Sequence, residues 1–150
     1  MLTDNDFMRI AIEEALIAAE NGEIPVGAII VKDDAVIARA HNRVEELKSS
    51  SAHAEMIAIN EAENKLGKWL YGCTMYVTLE PCSMCAGALV LSRMKRLCIG
   101  AKDLKTGACT SLYNIIQDKR LNHRLELTMG IEEETCSQIL KDFFRKRRNI

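Results

Sequence analysis

Thr74-Met75-Tyr76-Val77-Thr78-Leu79 runs into Glu80-Pro81-Cys82-Ser83-Met84-Cys85-Ala86-Gly87-Ala88-Leu89-Val90-Leu91, and Arg96-Leu97-Cys98-Ile99-Gly100-Ala101 follows. The first six residues read as a short buried strand, Thr74–Leu79. Pro81 suits a first helical position, where its missing N–H costs nothing. Cys82–Leu91 then reads as an apolar helix, and Arg96–Ala101 as the next strand. A strand, a helix and a strand in succession are the unit of an α/β fold.

The flanks extend that pattern. Upstream, Val26–Val31 is a short β-branched run, Lys32-Asp33-Asp34 a turn, and Ala35–Ala40 a second strand, which together predict a hairpin. Phe7–Ala19 has helical apolar spacing, with Thr3 or Asp4 to cap it and Gly22 just past its end. Ala52–Leu66 is a further helix closed by Gly67, and the polar residues 43–51 between them read as a loop. Downstream, Leu104–Gly107 reads as a loop, Ser111–Gln117 as a short helix and Leu125–Met129 as a fifth strand. Ile131–Arg147 reads as a terminal helix, acidic at its start and basic at its end, as the helix dipole favours. The whole predicts one domain over residues 1–150: a three-layer α/β/α sandwich around a mixed sheet of about five strands.

Composition narrows the function classes. Of the 150 residues, 48% are hydrophobic and 27% charged, a globular balance that excludes a disordered chain. No apolar run approaches the roughly 18 residues of a membrane helix, and the N-terminus lacks the basic and apolar segments of a signal peptide. A soluble, cytoplasmic protein is the expectation. The net charge of −1 hides a split: residues 1–75 carry 7 basic and 13 acidic side chains, and residues 76–150 carry 13 basic and 8 acidic ones. Charge alone reads as a mixed solvated surface.

Six cysteines stand at 73, 82, 85, 98, 109 and 136. Without an export signal they are expected as free thiols. Cys98 reads as a small buried hydrophobe, and Cys73, Cys109 and Cys136 have no evident partner. Met75, Met84, Met94 and Met129 read as core or interface filler.

Cys82 and Cys85 differ, because their spacing has chemical content. Three residues apart in a first helical turn, the two sulfurs face the same way, and a helix N-terminus favours the thiolate that binds metal. His53-Ala54-Glu55 opens another predicted helix. His, Cys and Cys are three good zinc ligands, and catalytic zinc keeps its fourth position for water. Glu55 is placed to reach that water and move protons, and zinc lowers the pKa of bound water to about 7. A lone C-x-x-C is shared with redox pairs and structural zinc sites, and a lone H-x-E is an ordinary helix-start pair. Together, with the proline, they match the zinc-deaminase pattern H-x-E…P-C-x-x-C.

At these residues the chain resembles a family. His53-Ala54-Glu55, Thr78 to Ala88, Gly100-Ala101-Lys102-Asp103, Lys105-Thr106-Gly107-Ala108, Asn122-His123-Arg124 and Phe143 to Arg148 are similar, in register over nearly the whole length, to the bacterial tRNA-specific adenosine deaminases. These enzymes belong to the zinc-dependent cytidine/deoxycytidylate deaminase superfamily. The zinc motif specifies the superfamily, and the C-terminal half narrows it to the tRNA enzyme. The resemblance implies a cytidine deaminase-like fold, one Zn(2+) per subunit on His53, Cys82 and Cys85, and Glu55 as general acid/base. It implies conversion of the wobble adenosine in an arginine tRNA to inosine by a homodimer that binds the anticodon stem-loop. It further implies Asn42 as a pocket asparagine bonding the flipped-out base, Asp103 and Lys105 in a loop beside the neighbouring nucleotides, Asn122 and His123 in a segment that meets the RNA, and Phe144 and Arg147 on the helix flanking the anticodon loop. The chain departs from the family pattern at Ser50-Ser51-Ala52 and Cys109-Thr110-Ser111, away from the ligands.

Other readings remain at this stage. Asn42 also suits the end of a strand, and Asp103 with Gly107 suits ordinary loop chemistry. Of the adjacent Phe143 and Phe144, one is expected to pack inward. Four consecutive cations, Arg145 to Arg148, are common at a helix C-terminus but also suit phosphate contacts, and an aromatic beside them suits base stacking. The same zinc chemistry could serve a free base or nucleoside such as guanine or cytidine. A non-catalytic RNA-binding subunit with a complete four-ligand structural zinc, and more distantly a thioredoxin-like redox pair, are the alternatives from other classes.

Overall fold

The computed structural model describes residues 1–148. Its first helix, α1 (Asp4–Glu20), starts three residues earlier than the apolar spacing predicts. A capping box explains this: Thr3 Oγ1 accepts the Asp6 N–H at 3.2 Å, and an Asp6 carboxylate oxygen accepts the Thr3 N–H at 2.9 Å. Both orphan donors are satisfied and the helix begins there.

The expected hairpin forms from β1 (Gly27–Lys32) and β2 (Ala35–His41), which pair antiparallel. Asp33 and Asp34 both have positive φ, 52° and 63°, the backbone of a tight turn whose twist matches its strands. Next come α2 (Val44–Leu47), α3 (Ala54–Leu66), β3 (Thr74–Leu79), α4 (Ser83–Leu91), β4 (Arg96–Ala101), β5 (Glu126–Met129) and α5 (Glu133–Arg148). The sheet order is β2-β1-β3-β4-β5. β3 runs antiparallel to β1, and β4 and β5 continue parallel to β3, so the sheet is mixed, as expected.

Strand alternation splits the core in two. Ala28, Ile30, Met75, Val77, Leu97 and Ile99 face α3 and α4, while Ile29, Val31, Tyr76 and Cys98 face α1 and α5. Three layers result. Gly100 lets α5 seat closely, because a Cβ there would strike the Cys136 sulfur. That seating brings the C-terminal half of α5 over the site described below.

The structure corrects several local expectations. Residues 43–51 contain a helical turn, α2, because the buried Glu23 carboxylate accepts the Glu45 and Glu46 N–H groups at 3.0 and 2.9 Å. Pro81 lies outside α4: Cys82 is the N-cap, with extended backbone. Residues 111–117 are not a helix. The Ile115 N–H, which a helix would send to Ser111, goes to the Ala108 carbonyl, and Cys109 bridges to Asn114, so the helical ladder does not form; Cys109, Thr110 and Ser111 donate their N–H groups to Glu80. α5 starts at Glu133 rather than Ile131, after positive-φ backbone at Gly130 and Glu132. Met75 and Met94 are core, but Met84 is exposed and Met129 half-buried. Among the described residues, no helix is long and apolar enough to cross a membrane.

Candidate active site

Two helix starts meet at the carboxyl end of β3. His53 is the N-cap of α3 and Cys82 the N-cap of α4, both extended and neither making a side-chain cap bond. Their side chains are thus free to turn toward each other. The Cys82 and Cys85 sulfurs lie 3.6 and 3.5 Å from His53 Nδ1, and the three ligand atoms fall within 4.8 Å of one another.

The protonation of this cluster fits a cation. Hydrogen bonds from Cys85 and His53 pull the Cys82 thiol down to about 3, which favours its thiolate form. The hydrogen bond to Cys82, with burial, pushes the Cys85 thiol up. Hydrogen bonding to Cys82 raises His53. Three donors therefore share protons that an ion would displace. Two sulfurs and an imidazole suit zinc. Among the described residues this group has three members.

Glu55 stands next to the cluster on the first turn of α3, 4% exposed. Burial pushes its carboxyl up to about 7, against opposing contributions from its own backbone N–H and from His53. A cation bound beside it would lower that value. A carboxyl that can both hold and release a proton near neutrality is suited to general acid/base work.

These residues form the floor of a cavity of about 490 Å³, a size typical of small-ligand sites. Asn42 lies in its wall, buried. Its Oδ1 accepts the Ala54 N–H at 2.9 Å and its Nδ2 donates to the Ile24 carbonyl at 3.1 Å. Asn42 therefore does for α3 what the His53 side chain does not: it satisfies an N-terminal donor. One Nδ2 proton remains for a ligand.

The rim comes from the segment after β4 and from α5: Lys102 to Thr106, Leu140 and Phe144 all line the opening. Asp103 and Lys105 are both there, as expected. The Asp103 carboxylate holds its own turn, accepting the Lys105 and Thr106 N–H groups and the Thr106 hydroxyl at 3.0, 3.1 and 2.7 Å. Phe144 is 41% exposed and Phe143 half-buried, so one of the pair does turn inward. Lys105, Phe144, Arg147 and Arg148 line an adjoining groove, and the Arg147 guanidinium sits 5.2 Å from the Phe143 ring centre.

Asn122 and His123 are not brought to this pocket. A His123 ring nitrogen lies 2.6 Å from the Met94 carbonyl. Met94 precedes β4 while Lys102 follows it, so the two segments sit at opposite ends of that strand within one subunit.

Glu80 escaped the sequence reading. It is 2% exposed. Burial would raise its carboxyl, but hydrogen bonds from the Ser111 side chain and backbone and from the Asp103 and Cys109 backbones outweigh it and hold the group below the ordinary value. The one signal in the sequence was a carboxylate placed directly after an apolar strand.

Comparison with known proteins agrees with this geometry. The chain matches the MafB19-like deaminase family over residues 2–148. It is 50% identical over 149 residues to the tRNA-specific adenosine deaminase of Bacillus subtilis (strain 168), covering 99% of this chain and 92% of that protein. To the tRNA-specific adenosine deaminase of Aquifex aeolicus (strain VF5) it is 51% identical over 144 residues, covering 95% of each. A solved structure from studies of A-to-I editing by tRNA:A34 deaminases at the wobble position superposes with a TM-score of 0.86 at 42% identity, covering 89% of this chain and 98% of that one.

Proposed function

The chain belongs to the MafB19-like deaminases and, within them, to the tRNA-specific adenosine deaminases, and from that premise we propose that it converts the wobble adenosine of an arginine tRNA to inosine. The observation that carries this reading is a two-part pocket. Its floor joins a three-donor zinc-ligand set to a buried carboxylate, and its rim is cationic and aromatic.

Zinc held by His53, Cys82 and Cys85 would supply hydroxide at neutral pH by lowering the pKa of water to about 7. The chain's own residues do the rest. A nucleotide of a loop is already partly unstacked, so extruding it costs less than from a duplex. Asn42 offers its free Nδ2 proton to the base. Glu55 takes the proton of the attacking water, delivers it to N1 of adenine as C6 gains oxygen, and passes the next proton to the departing N6 amine. Adenosine and water become inosine and ammonia.

At the rim and in the adjoining groove, Lys105, Arg147 and Arg148 suit phosphates and Phe144 suits an unstacked base. A small free substrate has no use for that rim. Asn122 and His123 would serve RNA held mainly by the other subunit of a homodimer, which accords with their distance from the pocket of their own chain. A cytoplasmic location accords with a tRNA substrate.

The test is incubation of zinc-loaded protein with an arginine-tRNA anticodon stem-loop carrying adenosine at the wobble position, digestion and mass spectrometry. Free adenosine, cytidine and guanine are run in parallel. Inosine in the stem-loop with the free compounds unchanged is the expected result. Turnover of a free compound alone would overturn the substrate assignment and leave the reaction type standing.

A further inference from the structure

The Glu80 carboxylate is the anchor of the rim. Its Oε1 accepts the Asp103 N–H at 3.1 Å and the Ser111 hydroxyl; its Oε2 accepts the N–H groups of Cys109, Thr110 and Ser111 at 3.0, 2.9 and 3.0 Å. Five donors from one segment thus converge on a single buried side chain at the end of β3. Gly107 completes the arrangement. A Cβ there would collide with both the Glu80 carboxylate and the Asp103 carbonyl, so the segment is drawn in as far as a glycine permits. The two ends of the segment are tied differently. Asp103 begins the turn that presents Lys105 and Thr106 to the pocket. Cys109, Ala108 and Ile116 lock into the core beneath. One carboxylate bridges the two.

We propose that Glu80 is a positioning residue for substrate: through the Asp103 N–H it sets where the Lys102–Thr106 rim stands over the pocket, and so governs how tightly RNA binds more than how fast the bound base reacts. This rests on the RNA-substrate reading above. Glu80 borders the cavity, but five protein donors occupy both of its carboxylate oxygens, so it acts through the segment it holds and not on the substrate itself.

Glutamine is the discriminating replacement. A carboxylate has two accepting oxygens and an amide one. In a Glu80→Gln variant the single amide oxygen goes to the three N–H groups of Cys109 to Ser111, where it meets the most donors. The new NH2 then faces the Ser111 hydroxyl, which can turn and accept, and the Asp103 N–H, which cannot, so the Asp103 link becomes repulsive. Glu80→Gln should keep its zinc, measured by atomic absorption, and its fold, measured by circular dichroism. Amide hydrogen exchange at Asp103 should accelerate relative to wild type. KM for the anticodon stem-loop should rise about tenfold, the equivalent of one lost hydrogen bond to a charged group, with the change falling mainly on KM and not on kcat. Gly107→Ala, which leaves the carboxylate in place but pushes the segment off it, should raise KM in the same direction. Unchanged exchange at Asp103 in Glu80→Gln would overturn the proposal, as would a loss confined to kcat, or a KM rise in Gly107→Ala with none in Glu80→Gln. The exchange measurement needs no turnover. An inactive wild-type protein would therefore sink the substrate reading while the anchoring role of Glu80 was still decided.

Discussion

The floor of the pocket is made by neighbours in sequence and the rim by strangers. His53 and Glu55 are two residues apart on one helix start, and Cys82 and Cys85 three apart on another. Each pair is placed by the local geometry of a first helical turn. The rim draws on Lys102 to Thr106 from a long connection, held by Glu80 from another strand, and on Leu140 and Phe144 from the last helix. A floor built from short-range geometry is the more enclosed part, with Glu55 and Cys85 buried and His53 and Cys82 half-buried, which suits chemistry that tolerates little displacement. A rim built from long-range contacts is more exposed, which suits a large polymer that must enter and leave.

Variants can separate the two. The largest effect is expected from Cys82→Ala, which removes one of the three proposed ligands: zinc, measured by atomic absorption, and turnover should both be lost. Full metal content would take Cys82 out of the ligand set. Glu55→Gln should keep zinc and RNA binding but lose about 10²- to 10⁴-fold in kcat, the range of general acid/base catalysis. Near-wild-type deamination would end that assignment. Rim variants should act on binding instead. Phe144→Ala should raise KM about tenfold, toward the lower end of the ~1–3 kcal/mol a stacked base contributes, with kcat at saturating RNA little changed. Arg147→Ala should weaken binding more evenly across RNA sequences and flatten the slope of log K against log salt by about 0.7, one single-strand phosphate contact. A steeper slope would contradict it.

The smallest effect belongs to a site remote from both regions. Asp4, at the start of α1, accepts two hydrogen bonds from Arg96 and one from Tyr76. The Arg96 hydrogen bond holds its carboxyl below the ordinary 3.8, against the effect of burial. A lowered carboxyl pKa stabilises the fold above the unfolded value, and that contribution is lost as pH falls through the folded one. Asp4→Asn should therefore lower Tm at pH 7, with the gap to wild type closing as pH drops below about 4. Deamination by the folded variant should be unaffected. A gap that widened in acid would show that the pair does not act this way.

Most of the sheet was legible because its signals are short-ranged. β3 and β4 begin and end where their apolar runs do, and the Asp33-Asp34 turn follows from two residue types that tolerate positive φ. The expected helix at 111–117 failed for the converse reason. Its apolar spacing was real, but the Ile115 N–H goes to the Ala108 carbonyl and Cys109 bridges to Asn114, in a segment whose start is pinned by a carboxylate some thirty positions earlier that no local window contains. Asn42 shows a middle case. The family resemblance placed it at the pocket, and the structure adds that its amide oxygen is committed to the start of α3.

By itself the sequence determined the His53, Cys82 and Cys85 motif residues, the carboxyl of Glu55 beside them, the strand–helix alternation and the cationic end of the last helix. Each depends on residue type and on spacings within a turn or two, and helical and strand periods are properties of the local backbone. Tertiary structure alone decided which carboxylate anchors the rim, that Asp103 spends its oxygens on its own turn, and that His123 stands at the far end of β4. Those outcomes depend on which donor meets which acceptor after the chain has packed. Buried donors and acceptors must all find partners, and only the folded arrangement shows which are within reach.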